Sequence, residues 1–246
     1  MGMQLMPFAY YGAKNRLARH YPPPQHSTII EPFAGSAAYS MFHIHTAKRI
    51  LLIEKDEAVV NLWHRLQNMT LRDLDRIDKE LDKQRTTEPL IAGLGGGSSL
   101  HATLSGKSRQ ITPWMKQKWP QKKRVIARAL PHLYKIEIRC ADYTETPELE
   151  ATYFVDPPYQ LNIINTNRSI NDQAGNGYRH GSQHINYQQL AEWCQQLPGQ
   201  IIVCEQQPAN WLPFKPFHTN NNINIQKRTE VIWTNQPYWE QLELYI

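Results

Sequence analysis

At 246 residues the chain is long enough for one large α/β domain, or for one such domain carrying an inserted lobe. A formal charge of +5 and a pI of about 9.0 favour an acidic partner over a neutral one. Three cysteines without metal-ligand spacing or even pairing argue against a disulfide framework, and no apolar stretch reaches transmembrane length, so a soluble, cytoplasmic protein with no membrane partner is expected.

Residues 7–20 begin with a short aromatic segment that Gly12 interrupts, and a helical pattern follows. That reading puts Lys14 in a first helical turn, where positive charge is unfavourable unless it faces an anion. The next stretch, Thr28-Ile29-Ile30-Glu31-Pro32-Phe33-Ala34-Gly35-Ser36-Ala37, reads as a strand, a turn of small residues and the start of a helix. Small residues let a ligand approach the backbone, and a new helix offers unpaired N–H groups. The turn lacks the Gly-Lys-Ser/Thr ending of a phosphate loop and has a single glycine, Gly35, where a dinucleotide fingerprint needs three.

A strand over 49–53 ends at Glu54, roughly 20 residues past that turn, the interval at which doubly wound folds place an acid for ribose hydroxyls. A helix over 58–63 follows. Residues 70–135 break this rhythm. They open with a charged helix over 71–83, with Leu71, Leu74, Ile77 and Leu81 on one face. A flexible run over 93–99 comes next. From Pro89 to Ile136 there is no acid, while Lys107, Arg109, Lys116, Lys118, Lys122, Lys123, Arg124, Arg128 and Lys135 are interleaved with Trp114 and Trp119. Like charges without a counter-charge repel, and a phosphate backbone would neutralise them while the indoles stack. The insert at 70–130 is therefore expected to contact nucleic acid. Residues 1–69 and 131–246 are expected to form the catalytic domain.

A strand over 134–140 leads to a polar tip at Ala141-Asp142-Tyr143. The run Tyr153-Phe154-Val155 then ends in Asp156-Pro157-Pro158-Tyr159. Two prolines fix φ, remove two donors and stop the strand, leaving a stiff tip that presents a carboxylate beside an aromatic ring. That pair suits a planar ring bearing an amine. A long polar loop over 160–185 carries Tyr178, Arg179 and His180. A helix over 187–196, a turn at Pro198-Gly199 and a strand over 200–204 come next. β-type runs at 222–226, 229–234 and 241–245 predict a terminal hairpin on a mostly parallel sheet. Cys140 and Cys204 lie in apolar runs and are expected to be buried thiols. The histidines form no ligand set, and no metal is expected.

Taken together, these stretches resemble the Dam-like family of adenine-N6 DNA methyltransferases. Tyr10-Tyr11-Gly12-Ala13-Lys14 looks like its N-terminal cofactor motif, and Glu31 to Ala37 like its S-adenosylmethionine loop. Glu54 to Trp63 is similar to its acid-led second-strand motif. Asp142-Tyr143 resembles the pair before its catalytic loop, and Asp156-Pro157-Pro158-Tyr159 its catalytic signature. Glu230 to Asn235 resembles its C-terminal strand. Ser36 and Ala37 stand where glycines are common in the family, and Glu54 where aspartate is frequent.

The resemblance implies a Rossmann-like methyltransferase fold with a C-terminal antiparallel hairpin, using S-adenosylmethionine and no metal on double-stranded DNA. It casts Asp156, Pro157 and Tyr159 as catalytic residues, the first two accepting the amine's N–H groups and Tyr159 stacking on a flipped-out adenine. It places the cofactor against Tyr11, Lys14, Glu31, Phe33, Gly35, Ser36, Glu54, Asp142, Tyr143 and Asp156. The short insert leaves little room for a base-reading module, so relaxed target choice is expected. Cytosine N4, adenine in RNA, or DNA binding without catalysis are the alternatives to adenine in DNA.

Overall fold

A computed structural model describes residues 5–236 except 11, 13, 16, 161–180 and 221–227. Tyr11, Tyr178, Arg179 and His180, and the β-type runs expected at 222–226 and 241–245, lie outside the described residues.

The strands form because their sequences are short, continuous and apolar. In β1 (Thr28–Glu31), β2 (Arg49–Glu54), β6 (Ala151–Val155) and β7 (Gly199–Gln206) the central side chains are buried without alternation. That pattern belongs to parallel strands covered on both faces. With β5 (Ile136–Cys140), β8 (Lys215–Asn220) and β9 (Arg228–Thr234) they make a seven-stranded sheet in the order β5-β2-β1-β6-β7-β9-β8. All pairings are parallel up to β7, and β9 runs antiparallel to both β7 and β8. This is the predicted fold class: a doubly wound, mostly parallel sheet closed by an antiparallel hairpin. The chain direction across the sheet reverses between β1 and β6, the switch point at which such sheets open a crevice beyond their carboxyl ends.

Two apolar clusters cover the sheet. One holds Ile29, Leu52, Phe154, Cys204 and Ile232 under α1 (Ala38–Phe42) and α2 (Glu57–Gln67). The other holds Ile30, Leu51, Tyr153 and Val203 under α7 (Tyr187–Gln196). Asp56 caps α2 by accepting from the Ala58 N–H, and Trp63 of that helix donates its indole N–H to the Gly35 carbonyl at 2.9 Å. Helix α2 thereby ties down the small-residue turn. Gly199 opens β7 at φ +87°, where a Cβ would lie 2.3 Å from the Ala151 carbonyl. Only glycine allows that approach between β6 and β7.

Between α2 and β5 lie α3 (Leu71–Asp78), β3 (Arg85–Thr86), α4 (Pro89–Ala92), α5 (Gly97–Leu104), β4 (Arg109–Gln110) and α6 (Pro113–Ala129). Leu74, Ile77, Leu90, Ile91, Leu100, Trp119 and Ile126 from this region join the first apolar cluster of the sheet. The expected helix over 71–83 ends at Asp78 and continues as a 3₁₀ turn over Lys79–Asp82; Leu71 is exposed rather than on the buried face. The run read as flexible forms a 3₁₀ turn at Gly93–Gly95 and then opens α5.

The expectation of uncompensated positive charge does not hold in full. Lys123 bridges Asp75 at 2.7 Å and Asp78 at 2.6 Å, both in α3, so its counter-charge comes from outside the acid-free stretch. Lys122 donates to the Met6 carbonyl, and burial lowers its pKa to about 8. Lys135 donates to the Ile44 and Ala47 carbonyls, and Trp119 is buried with its indole N–H on Asp78. Cys140 is exposed, because β5 is the edge strand, while Cys194 and Cys204 are buried. No helix among the described residues is long and apolar enough to cross a membrane.

Candidate active site

Strand alternation builds the site. Glu31, Glu54 and Asp156 each follow their strand's last apolar residue with the same parity as Ile29, Leu52 and Phe154, so all three leave the sheet on one face. They meet in a cleft lined also by Lys14, Phe33, Gly35, Ser36, Asp142 and Tyr143. The described cofactor candidates thus converge at the carboxyl ends of β1, β2, β5 and β6. Tyr10, Lys55, Asp56, Pro158, His184 and Ile185 line the cleft too, and the sequence reading assigned none of them a role. Tyr10, Lys55, Asp56 and Pro158 lie inside the family-like motifs, whereas nothing in the local sequence marks His184.

The wall at β1 turns sharply. Gly35 has φ +47° and Ala37 φ +49°, and a Cβ on Gly35 would meet the Tyr10 ring at 3.0 Å. Glu54 braces this turn by accepting from the Gly35 N–H at 2.8 Å, and its other oxygen accepts from the Asp56 N–H at 2.8 Å. Burial raises the Glu54 pKa against those two bonds. Glu31 is buried and accepts from the Ser40 N–H at 2.7 Å, and burial pushes its pKa up to about 8. Asp142 caps the turn at Tyr143–Glu145 and pairs with Lys55 at 2.8 Å. Burial alone would raise its pKa, but Lys55 and Thr144 hold it below the ordinary value. Phe33 and Tyr143 stack with ring centroids 5.3 Å apart.

Asp156 sits at the tip of β6, above Phe154, which stacks on Tyr39 at 4.4 Å and meets Tyr21 edge-on at 4.9 Å. These contacts and the two prolines leave the strand tip little freedom. Lys14 is not in a helix. Among the described residues of 12–20 the chain forms hydrogen-bonded turns, and the buried ammonium of Lys14 lies 2.7 and 3.0 Å from the two oxygens of Asp156. The ammonium has its anion, a requirement of its burial and not of the helical position expected for it. Burial works against its charge, yet the carboxylates of Asp156 and Glu230 hold its pKa well above the ordinary value. Burial raises the pKa of Asp156, Lys14 opposes that shift, and Glu230 adds to it.

Tyr159 is directed differently from the expectation. Its ring lies under the Lys14 ammonium at 4.5 Å and its hydroxyl donates to Glu230, so that face is already occupied, and it does not line the cleft. Pro157 is buried outside the lining, whereas Pro158 is part of it and accepts from the Tyr187 hydroxyl at 2.6 Å.

Of the basic residues singled out, Lys107, Lys116, Lys118, Arg124 and Arg128 are exposed and Arg109 is partly buried. Trp114, beside them on α6, is 50 % exposed.

The donor set fits S-adenosylmethionine. Glu54 keeps lone pairs beyond its two backbone bonds, the missing Cβ of Gly35 makes room for the Tyr10 ring that lines the same cleft, and Phe33 and Tyr143 add aromatic surface to it. A scan against protein-family models found no match, and neither did a search of curated proteins. Among solved structures the chain is similar to the rRNA methyltransferase AviRa from Streptomyces viridochromogenes, at 15 % identity and a TM-score of 0.42, over 94 % of this chain and 89 % of that one.

Proposed function

We propose that this protein transfers a methyl group from S-adenosylmethionine to the N6 amine of an adenine turned out of DNA. One observation carries the reading: Asp156 shares a single cleft with Glu54, the Gly35 turn and Asp142. When bound, S-adenosylmethionine supplies an electrophilic methyl carbon. Glu54 holds the ribose hydroxyls, Asp142 the adenine amine of the cofactor, and the Gly35 turn admits its methionine part.

The acceptor amine is a poor nucleophile because its lone pair is delocalised into the ring. Asp156 accepts one of its N–H groups, which localises the lone pair, and takes the proton the amine must lose once methylated. Pro157 is not among the residues lining the cleft, so the reading rests on Asp156 as the acceptor. The remaining rate comes from alignment and from fixed dipoles that replace solvent. Lys14 opposes the protonation that burial favours at Asp156. The exposed Lys107, Lys116 and Lys118, with Trp114, form the surface that takes the DNA backbone. Arg109, Arg124 and Arg128 extend it.

Transfer of radiolabelled methyl from S-adenosylmethionine to duplex DNA, RNA or free nucleoside tests the reading. Label in adenine N6 of DNA is expected, and mapping it should show loose sequence preference. Asp156→Ala should abolish transfer while cofactor binding persists. Label confined to RNA or to cytosine would overturn the acceptor, and transfer unaffected by Asp156→Ala would remove that residue from the chemistry.

A further inference from the structure

Glu230 has no assigned role in the chemistry above, yet it touches three of the groups beneath Asp156. Its Oε1 accepts from the Tyr159 hydroxyl, accepts from the Tyr21 hydroxyl at 3.3 Å, and lies 3.4 Å from the Lys14 ammonium. Its backbone is fixed from both sides, in register with Gln206 of β7 and with His218 of β8. It also has the parity of Ile232, the core-facing set of β9. A carboxylate rooted so firmly on the inner face of an antiparallel strand has little freedom to move.

We propose that Glu230 is a positioning residue of this site, holding Tyr159 and Lys14 so that Asp156 stays aimed into the cleft. The inference rests on the amine-methylation reading. Tyr159 is joined to Asp156 through Pro157 and Pro158, which have no φ freedom. Rotation of the ring about its own side-chain bonds leaves that backbone alone, so Glu230 acts through contacts: by gripping the phenol it fixes the ring on which the Lys14 ammonium rests, and Lys14 in turn holds Asp156.

Lys14 alone would cancel the charge of Asp156, since it contacts both carboxylate oxygens. With Glu230 beside the same ammonium, the group of three carries a net negative charge. An amine that accepts a methyl cation equivalent becomes positive, so that excess charge favours the transition state more than the bound substrate. The effect belongs in kcat and not in binding.

The test is Glu230→Gln, which keeps an oxygen for the Tyr159 phenol and removes the charge. In the methyl-transfer assay kcat should fall roughly tenfold or more, while cofactor affinity by calorimetry and the KM for DNA stay within about twofold. Glu230→Leu, which also frees the phenol, should lower kcat further. Should that variant fail to fold, the isosteric glutamine variant still carries the test. Adding Tyr159→Phe to Glu230→Gln should cost less than the product of the single losses, since the two act as one unit.

A wild-type kcat in Glu230→Gln, or a loss confined to stability and binding, would overturn the positioning role and leave amine methylation standing. A wild-type protein that methylates no nucleic acid would overturn that reading, and the positioning role with it.

Discussion

Lys14 and Asp156 are 142 positions apart in the chain, yet the lysine ammonium lies within 3.0 Å of both carboxylate oxygens. The side chains are 7 % and 18 % exposed, so each charge depends on the other for most of its solvation. Breaking such a pair from one side leaves a charge stranded, which typically costs about 3–5 kcal/mol. Glu230 still pairs with Lys14 when Asp156 is lost, whereas loss of Lys14 strands two carboxylates, so the lower end applies to the first change and the upper end to the second. Asp156→Asn should destabilise the fold by about 3 kcal/mol and Lys14→Met by about 5 kcal/mol, and the double variant by clearly less than the sum. Denaturant unfolding of the four proteins gives the coupling directly. A coupling near zero would mean that the contact contributes nothing in solution.

Glu54 supports the cofactor side in two ways, through its own oxygens and through the turn it braces at Gly35. Glu54→Ala should weaken S-adenosylmethionine binding at least about tenfold, since it removes an acceptor for hydroxyl groups and loosens the turn. Glu54→Gln retains one carbonyl oxygen and should fall between. Calorimetric titration with the cofactor separates them, and an unchanged affinity in the alanine variant would end the ribose assignment.

Much of this arrangement was legible in the chain, for local reasons. Asp156-Pro157-Pro158-Tyr159 announces itself because two prolines must end a strand, and Glu54 because it is the first polar residue after an apolar run. Helix α7 has the bounds its pattern predicted. The misreadings have a common cause in partners supplied from elsewhere. Lys14 sits in turns, not a helix, because its conformation serves the contact with Asp156. Lys123 looked unpaired because Asp75 and Asp78 lie on a different helix. Strand β8 carries Pro216 and no clean alternation, so its pairing with β9 defines it. Glu230 left one signal, a lone carboxylate on the inner face of an apolar strand, which means little until Tyr159, Tyr21 and Lys14 are seen around it.

The corrected charge map changes which lysines should test contact with DNA. Lys116 and Lys118 are exposed on α6, whereas Lys122 and Lys123 are engaged by Met6, Asp75 and Asp78. Reversing both exposed charges, Lys116→Glu with Lys118→Glu, should weaken duplex binding and reduce the slope of log affinity against log salt by about two. Lys123→Ala should leave the slope alone and lower stability by less than about 1 kcal/mol, the usual scale for surface pairs. Fluorescence anisotropy over a salt series distinguishes the two. Equal slopes in all three proteins would mean that α6 faces away from the nucleic acid.

Glu205, fully buried at the end of β7, should give the fold a pH dependence near neutrality. It accepts from the Gln160 and Gln206 N–H groups, each at 2.7 Å, and from the Trp211 indole at 3.2 Å, so it ties down the residue that follows Tyr159. Burial, opposed by these bonds, raises its pKa from 4.5 to about 7. Between those values the folded protein keeps a proton that the unfolded chain has already released. The contribution to stability is therefore fully present below pH 4.5, falls as pH rises towards 7, and is level above that. Glutamine cannot titrate, so Glu205→Gln, whatever it costs by losing one bond, should lack this decline. The stability difference between wild type and variant should move in favour of the variant by up to about 3 kcal/mol across that interval. Unfolding curves for both proteins at several pH values would show it, and a difference that stays constant with pH would mean that Glu205 ionises as freely in the fold as out of it.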